Sequence, residues 1–155
     1  MSLHIGKCYV SPLGRAQRTA LPSLEAAGCK AETVEWLQEF PAKLDVNKAP
    51  ELAEAYPDIE KEGETYRPRI VWDMAPGYLT EHEEYMDKTN WRHSLVAKCS
   101  DMEDVYDKVT KEFDTLLAKH GYVRENGYYR VEKESTETIT FFCHFGLICV
   151  LLSHL

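Results

Sequence analysis

The chain has 155 residues, of which 44% are apolar and 28% charged, an ordinary balance for one globular domain with its own core. Its formal net charge of −8 at pH 7 argues against nucleic acid or an anionic membrane as the main partner. Residues 1–50 nevertheless contain six Lys or Arg against five Asp or Glu, so the acidic excess lies after residue 50. We expect the basic spot around Arg15 and Arg18 to suit a small anionic ligand.

The N-terminal sequence MSLHIGKCYV lacks the apolar run of a signal peptide, and the longest apolar stretch, residues 145–152, is too short to span a bilayer. The five cysteines are scattered, odd in number and form no CxxC pair. Reduced thiols in a cytoplasmic protein are the simplest interpretation. Cys8 and Cys143 lie in strand-like runs and are expected to be small buried residues.

The first elements predicted are a strand and a helix. KCYVSP is a short strand that Ser11-Pro12 ends. Apolar residues then recur at helical spacing over residues 13–27, and Gly28 is the predicted stop. Pro22 lies inside this helix and is expected to bend or interrupt it. TVEWLQEF, residues 33–40, follows as a short strand or extended run.

The middle of the chain is irregular, and the pattern becomes regular again near residue 100. Residues 43–100 are acidic and rich in Pro, Tyr and Trp, and we interpret them as a largely helical insertion over the active-site face of the sheet. Ser100 and Glu103 form a predicted capping box for a helix that Gly121 ends. YVRENGYYRV, around Asn126-Gly127, is typical of a type I′ hairpin.

The strand ITFFC and a final apolar helix complete the predicted elements. Continuous apolar strands that alternate with helices indicate an α/β fold, with a mainly parallel sheet flanked by helices. We treat residues 1–155 as one domain of this class that carries a helical insertion.

Three fragments carry candidate functional residues. SPLGRAQRTA places Arg15 in the first turn of a helix, where the exposed N–H groups attract anions and a planar guanidinium can grip two phosphate oxygens. WLQEF places Glu39 in an apolar run, and a carboxyl group in such surroundings tends to have a raised pKa that suits a general acid. CHFG places His144 at the end of a buried strand, where α/β enzymes keep their chemistry. For any one of these residues alone, a structural or surface role is the more common one.

Together, YVSPLGRAQRTA, WLQEF and FFCHFGLICVLL resemble the histidine phosphatase superfamily, the phosphoglycerate mutase-like group. The first fragment is similar to the family's S-P-L-x-R-A-x-x-T-A segment and the last to its strand–H-G-G–helix element. Residues 37–39 match the L-x-E stretch that carries the family's catalytic acid. The resemblance implies a phosphoglycerate mutase-like three-layer fold, present here in whole or in part.

The resemblance also implies a role for each matched residue. Glu39 and His144 would be catalytic, the first by protonating the leaving oxygen and the second by stabilising the phosphoryl group in flight. Arg15, Ser11 and Phe145 would bind the substrate phosphate. Phe145 stands where the family has glycine, and its ring would narrow the pocket or stack on a substrate ring.

The family's reaction begins with a nucleophilic histidine, which becomes phosphohistidine and comes from an R-H-G segment at the end of an earlier strand. Only ten residues precede Ser11, and His4 is followed by Ile5 and Gly6 but preceded by no arginine, so we do not expect it to be the nucleophile. The sequence thus looks like a domain without the N-terminal Arg-His-Gly segment and the C-terminal end. A shortened chain, an incompletely recorded sequence and a natural loss all account for this pattern.

The leading hypothesis is a phosphomonoester hydrolase that acts through phosphohistidine, with the nucleophile outside this chain. One alternative is a phosphoglycerate mutase, whose glycerate carboxylate would need Arg67 and Arg69, or Arg92; another is a non-catalytic phosphate-binding homologue. No cofactor or metal is expected, because His82 and His93 lack ligand spacing. The expected partner is a small phosphorylated metabolite or a phosphate or sulfate anion, with no nucleic acid and no membrane, and a homodimer is left open.

Overall fold

A computed structural model describes residues 5–155 of the chain. The helices are α1 (Gly14–Ala27), α2 (Pro76–Glu81), α3 (Leu95–Lys98), α4 (Met102–Lys119) and α5 (Phe145–His154). The strands are β1 (Lys7–Val10), β2 (Ala31–Thr33), β3 (Lys43–Leu44), β4 (Lys61–Glu62), β5 (Thr65–Tyr66), β6 (Arg69–Ile70), β7 (Tyr122–Glu125), β8 (Tyr128–Val131) and β9 (Ile139–Phe142). Short 3-10 turns lie between several of these elements.

The chain divides into two compact units. The first unit contains the described residues up to Phe40 together with Lys108–Leu155, and the second unit is Pro41–Asp107. Residues 43–100, the predicted insertion, all fall within the second unit, and their predicted place over the active-site face stays a prediction.

The first unit is built on a three-stranded parallel sheet in the order β2, β1, β9. Cys8 in the middle strand is paired with Ala31 on one side and Thr140 on the other. The predicted α/β class with parallel strands is therefore confirmed. Because β1 and β9 are parallel neighbours, the residues that follow their carboxyl ends lie side by side.

The two faces of this sheet pack differently, since side chains alternate along β1. On one face, Val10 clusters with Ala16 of α1. On the other face, Tyr9 stacks on Phe141 with 5.7 Å between ring centroids, and Phe141 meets Phe113 of α4 edge to face. Each face of the sheet thus carries a helix.

Helix α1 runs unbroken through Pro22, so the predicted interruption does not occur. Pro22 is exposed, and water can therefore satisfy the carbonyl group that loses its N–H partner one turn earlier. The helix ends at Gly28, which takes the left-handed conformation with φ of 64°, as predicted.

The helix predicted after Ser100 is α4, and its start differs in one detail from a capping box. The Ser100 hydroxyl accepts a hydrogen bond from the Met102 N–H at 3.2 Å. The Glu103 carboxylate accepts a hydrogen bond from Arg92 at 2.8 Å. In a capping box, the Glu103 carboxylate would accept a hydrogen bond from an N–H at the start of the helix. Here it forms an ion pair with Arg92 instead.

The predicted hairpin and final strand are confirmed. Asn126 and Gly127 have φ of 44° and 92°, as a type I′ turn between β7 and β8 requires. The apolar run before His144 forms β9, and α5 follows it. Among residues 5–155, no helix is long and apolar enough to cross a membrane.

The second unit is only partly the helical segment that the sequence predicts. It contains α2, α3 and several 3-10 turns, but also two-residue strand pairs, β3 with β6 and β4 with β5. Prolines at positions 50, 57, 68 and 76 fix the backbone and keep each element short. A core of its own holds the unit together, formed by Leu44, Val46, Ala49, Leu52, Ala55, Tyr56, Met74, Val96 and Cys99.

Candidate anion-binding site

The candidate site lies at the carboxyl ends of β1 and β9. Ser11 follows β1 directly, and His144 comes two residues after the end of β9. The Ser11 N–H donates to the Phe142 carbonyl at 2.9 Å, which continues the ladder and fixes the spacing of the two strand ends. Arg15 lies in the first turn of α1, as the sequence predicts. These strand ends therefore bring together residues that are more than 120 positions apart in the chain.

Glu39 reaches the same place from an irregular segment, and the strand or extended run predicted over residues 33–40 is wrong at its centre. Glu35–Leu37 form a 3-10 turn instead. Leu37 and Phe40 are buried, with 0% and 1% exposure. Their spacing of three residues matches a turn better than the alternation of a strand.

His144 is buried, with 4% of its side chain exposed, and both of its ring nitrogens have partners. The Arg15 Nε–H donates to Nδ1 at 3.1 Å. Because a guanidinium group can only donate, Nδ1 is unprotonated, and Nε2 carries the proton that it donates to the Ser11 hydroxyl at 2.9 Å. Burial, reinforced by the charge of Arg15 and opposed by that of Glu39, lowers the pKa of His144. The imidazole is therefore neutral near pH 7.

The Ser11 side chain supports His144. Ser11 has 0% exposure, and its hydroxyl oxygen also accepts a hydrogen bond from the Leu13 N–H at 3.2 Å. Ser11 thus holds His144 in place, and its expected contact with the substrate phosphate stays a prediction.

The Glu39 carboxylate lies at the N-terminus of α5. Its Oε1 accepts hydrogen bonds from the N–H groups of Gly146 at 3.1 Å and Phe40 at 3.2 Å. Its Oε2 lies 3.8 Å from Arg15 Nη2 and 3.9 Å from His144 Nδ1. A carboxylate therefore caps the positive end of this helix, a position that stabilises negative charge.

Arg15, His144 and the first turn of α5 thus converge on one position suited to an anion. The Arg15 side chain is 60% exposed, so its Nη groups are accessible from solvent. Its distance of 3.8 Å from Glu39 is longer than a hydrogen bond. An oxyanion can approach these groups, and it meets the competing negative charge of Glu39 as it does so.

A cleft of about 350 Å³ opens beside Arg15 and His144. Its size is at the lower end of the range for sites that hold small ligands. Its walls come from α1, the end of β9 and α5, and are formed by Arg15, Ala16, Thr19, Phe141, Phe142, Cys143, His144 and Ile148.

Phe145, which the sequence predicts to bind phosphate, is the first residue of α5 and is 80% exposed. A phenyl ring has no hydrogen-bonding group to offer a phosphate. Its ring is next to His144 in the chain and one helical turn before Ile148, on the same side of the helix. Such a ring is placed to contact the apolar part of a ligand.

The other two described histidines of the first unit have partners of their own: His120 bonds to the Tyr9 hydroxyl at 2.8 Å, and His154 to the Asp114 carboxylate at 2.9 Å. His82 lies in the second unit, stacks on Tyr85 with 5.2 Å between ring centroids and pairs with Glu84. Residues 5–155 contain no group of three or more His, Cys, Asp or Glu side chains that could hold a metal ion. His4 lies outside the described residues.

The three arginines that a mutase would need are all engaged by carboxylates of the second unit. The shortest contacts are Arg67 with Glu62 at 2.6 Å, Arg69 with Asp58 at 2.8 Å and Arg92 with Asp107 at 2.6 Å. Arginines with such partners are poorly placed to bind a substrate carboxylate.

Comparison of the chain with protein-family models, curated proteins and solved structures finds no significant match. The family resemblance therefore rests on the three sequence fragments alone. Two contacts of the site were not foreseen from the sequence, the bond between Ser11 and His144 and the capping of α5 by Glu39. The contact between Ser11 and His144 could have been inferred, because both residues directly follow predicted parallel strands.

Proposed function

We propose that this chain binds the phosphoryl group of a small phosphomonoester at Arg15, which the neutral His144 orients, as part of a phosphatase of the histidine phosphatase type. The observation that carries the proposal is the convergence of an exposed guanidinium, a buried imidazole and a helix N-terminus. Phosphoryl transfer depends mainly on such positioning and on positive charge around the phosphoryl oxygens. A parallel sheet with a helix on each face supports a phosphoglycerate mutase-like three-layer arrangement for the first unit.

In this proposal, hydrolysis has two steps and a histidine from outside this chain as nucleophile. A nitrogen of that histidine forms an N–P bond while the ester O–P bond breaks, and Glu39 in its protonated form gives its proton to the leaving oxygen. Water then attacks the phosphorus, the N–P bond breaks, and the Glu39 carboxylate takes a proton from that water. Arg15 holds the phosphoryl oxygens throughout.

A non-catalytic phosphate-binding protein is the second candidate, and one observation favours it. Among the histidines that the structure describes, His144 is the one that contacts Arg15, and both of its nitrogens are already hydrogen-bonded. A phosphoglycerate mutase is a weaker proposal, because the candidate arginines for its carboxylate are ion-paired with carboxylates of their own unit.

The proposed ligand is a small phosphorylated metabolite or a free phosphate, and we propose the cytoplasm as the location. The net charge of −8 disfavours polyanions, and five scattered cysteines without a CxxC pair suit a reducing compartment.

Calorimetric titration of the chain with inorganic phosphate tests the proposal. We expect one saturable site in the wild-type chain and none in Arg15→Gln. Arg18→Gln, which removes the same charge one turn along α1, is the matched control and should still bind. Phosphate release from an added ester that depends on a supplied upstream histidine would identify an enzyme, and binding without release would identify the non-catalytic candidate. Equal binding by the wild-type chain and Arg15→Gln would overturn the proposal.

A further inference from the structure

The cleft beside Arg15 and His144 has both polar and apolar side chains in its wall. Ile148 of α5 lines it and is 43% exposed although it is apolar. Phe142 lines it as well and packs against the cluster beneath α1. The Thr19 hydroxyl already donates to the Arg15 carbonyl at 2.9 Å. A ligand held by its anionic group at Arg15 thus has the apolar side chains of Ile148 and Phe142 in the same cleft.

This polarity selects among phosphate esters. The hydroxyl groups of a polyol or sugar phosphate would lose water against Ile148 and Phe142, whose side chains offer no hydrogen bond, and this loss is unfavourable. An apolar group would instead remove water from the Ile148 and Phe142 side chains, which is favourable.

The exposed face of α5 extends the apolar wall. Phe145 and Ile148 are three residues apart and therefore share a side of the helix. Phe145 is 80% exposed, so it adds little to the core and is available for stacking. An aromatic ring gains from stacking on a phenyl ring beyond the area that it buries.

We infer that the substrate of this site is a phosphomonoester with an aromatic leaving group, with its phosphate at Arg15 and its ring against Ile148 and Phe145. The inference rests on the proposed function, because phosphate binding at Arg15 is what orients the ligand. It extends that function by naming the chemical class of the leaving group.

Calorimetry with phenylphosphonate and methylphosphonate, two non-hydrolysable phosphate analogues that differ in the apolar group, tests the inference. We expect the wild-type chain to bind phenylphosphonate about tenfold more tightly than methylphosphonate. Ile148→Ser or Phe145→Ser should lower this ratio about fivefold. Val131→Ser is the matched control, because Val131 is an exposed apolar residue (52%) on β8 and does not line the cleft, and it should keep the ratio.

The outcomes separate this inference from the proposed function. If methylphosphonate binds and phenylphosphonate binds no better, the aromatic preference is overturned while phosphate binding stands. If neither ligand binds, both proposals fail. A ratio that survives both Ile148→Ser and Phe145→Ser, or that falls equally with Val131→Ser, also overturns the inference. If circular dichroism shows that the variants are unfolded, the ratio of the two affinities in the wild-type chain alone tests the inference.

Discussion

Arg15 of the first unit and Arg92 of the second show two uses of one side chain. Arg92 donates to Glu103 at 2.8 Å and to Asp107 at 2.6 Å, and these carboxylates raise its pKa. Arg15 instead donates its Nε–H to the neutral ring of His144, and its Nη2 lies 3.8 Å from the Glu39 carboxylate. An arginine neutralised by tight carboxylate contacts serves the structure. An arginine that is oriented by a neutral group keeps its positive charge available for a ligand.

The largest expected effect comes from replacing each of these two arginines, one at a time, by alanine. Arg15→Ala should lower phosphate affinity by about 100-fold or more, since it removes the main charge that faces the anion. Arg92→Ala should cost about 1 kcal/mol of unfolding free energy through its lost ion pairs. Calorimetry with phosphate and urea unfolding of both variants measure the two effects. Equal losses of phosphate affinity in Arg15→Ala and Arg92→Ala would contradict the distinction between the two arginines.

The next effect concerns the support of His144 by Ser11. Ser11→Ala leaves the buried Nε2–H without its partner and should cost about 1 to 3 kcal/mol of unfolding free energy. It should also weaken phosphate binding, because the imidazole ring loses the contact that holds its Nε2 in place, a change visible in the ¹⁵N chemical shift of His144 Nε2. Ser153→Ala, which removes a hydroxyl bonded to the Val150 carbonyl on α5, is the control. Unchanged ¹⁵N shifts in Ser11→Ala would contradict the positioning role.

Glu39→Gln should strengthen phosphate binding, because it removes the carboxylate that competes with the anion. A unit charge about 4 Å away in water is worth about 1 kcal/mol, or about fivefold in affinity. If the protein is an enzyme, the same substitution should slow turnover, since the amide cannot donate the proton. Glu35→Gln removes an equal charge outside the site and is the control for calorimetry. Weaker phosphate binding by Glu39→Gln would show that the carboxylate does not compete.

The smallest effect is a dependence of stability on pH. Because the pKa of His144 is lowered in the folded state, the unfolded chain takes up the proton first as the pH falls below about 6.5. The contribution of His144 to stability is complete above that pH and is lost as the pH falls through its folded-state pKa. Urea unfolding from about pH 7.5 to about pH 5 should show a smaller decline in His144→Gln than in the wild-type chain. His93→Gln, at an exposed histidine, should behave as wild type.

The elements of the first unit could be predicted because each carries a local pattern. Apolar spacing and Gly28 marked α1, and Asn126-Gly127 marked the hairpin. Pro22 does not interrupt α1, because water can donate a hydrogen bond to the carbonyl group that Pro22 leaves unpaired. The second unit was harder, because its short turns and strand pairs depend on long-range packing, which no window of sequence reveals.

The candidate site could be predicted residue by residue but not as an arrangement. Arg15 and His144 stood out at the ends of predicted elements, yet their contact depends on β1 and β9 being neighbours. That pairing joins segments more than 120 residues apart and has no local signal. The orientation of Glu39 follows from the burial of Leu37 and Phe40, which only the packed structure reveals.

The most direct test of the central claim is a two-dimensional NMR titration of the chain with inorganic phosphate. Saturable shifts of the His144 ring nitrogens, the Arg15 Nε–H and the Gly146 amide are expected, because the anion enters among these groups and displaces Glu39 from the start of α5. Shifts confined to other residues, or no saturable shift at all, would contradict an anion site at the ends of β1 and β9.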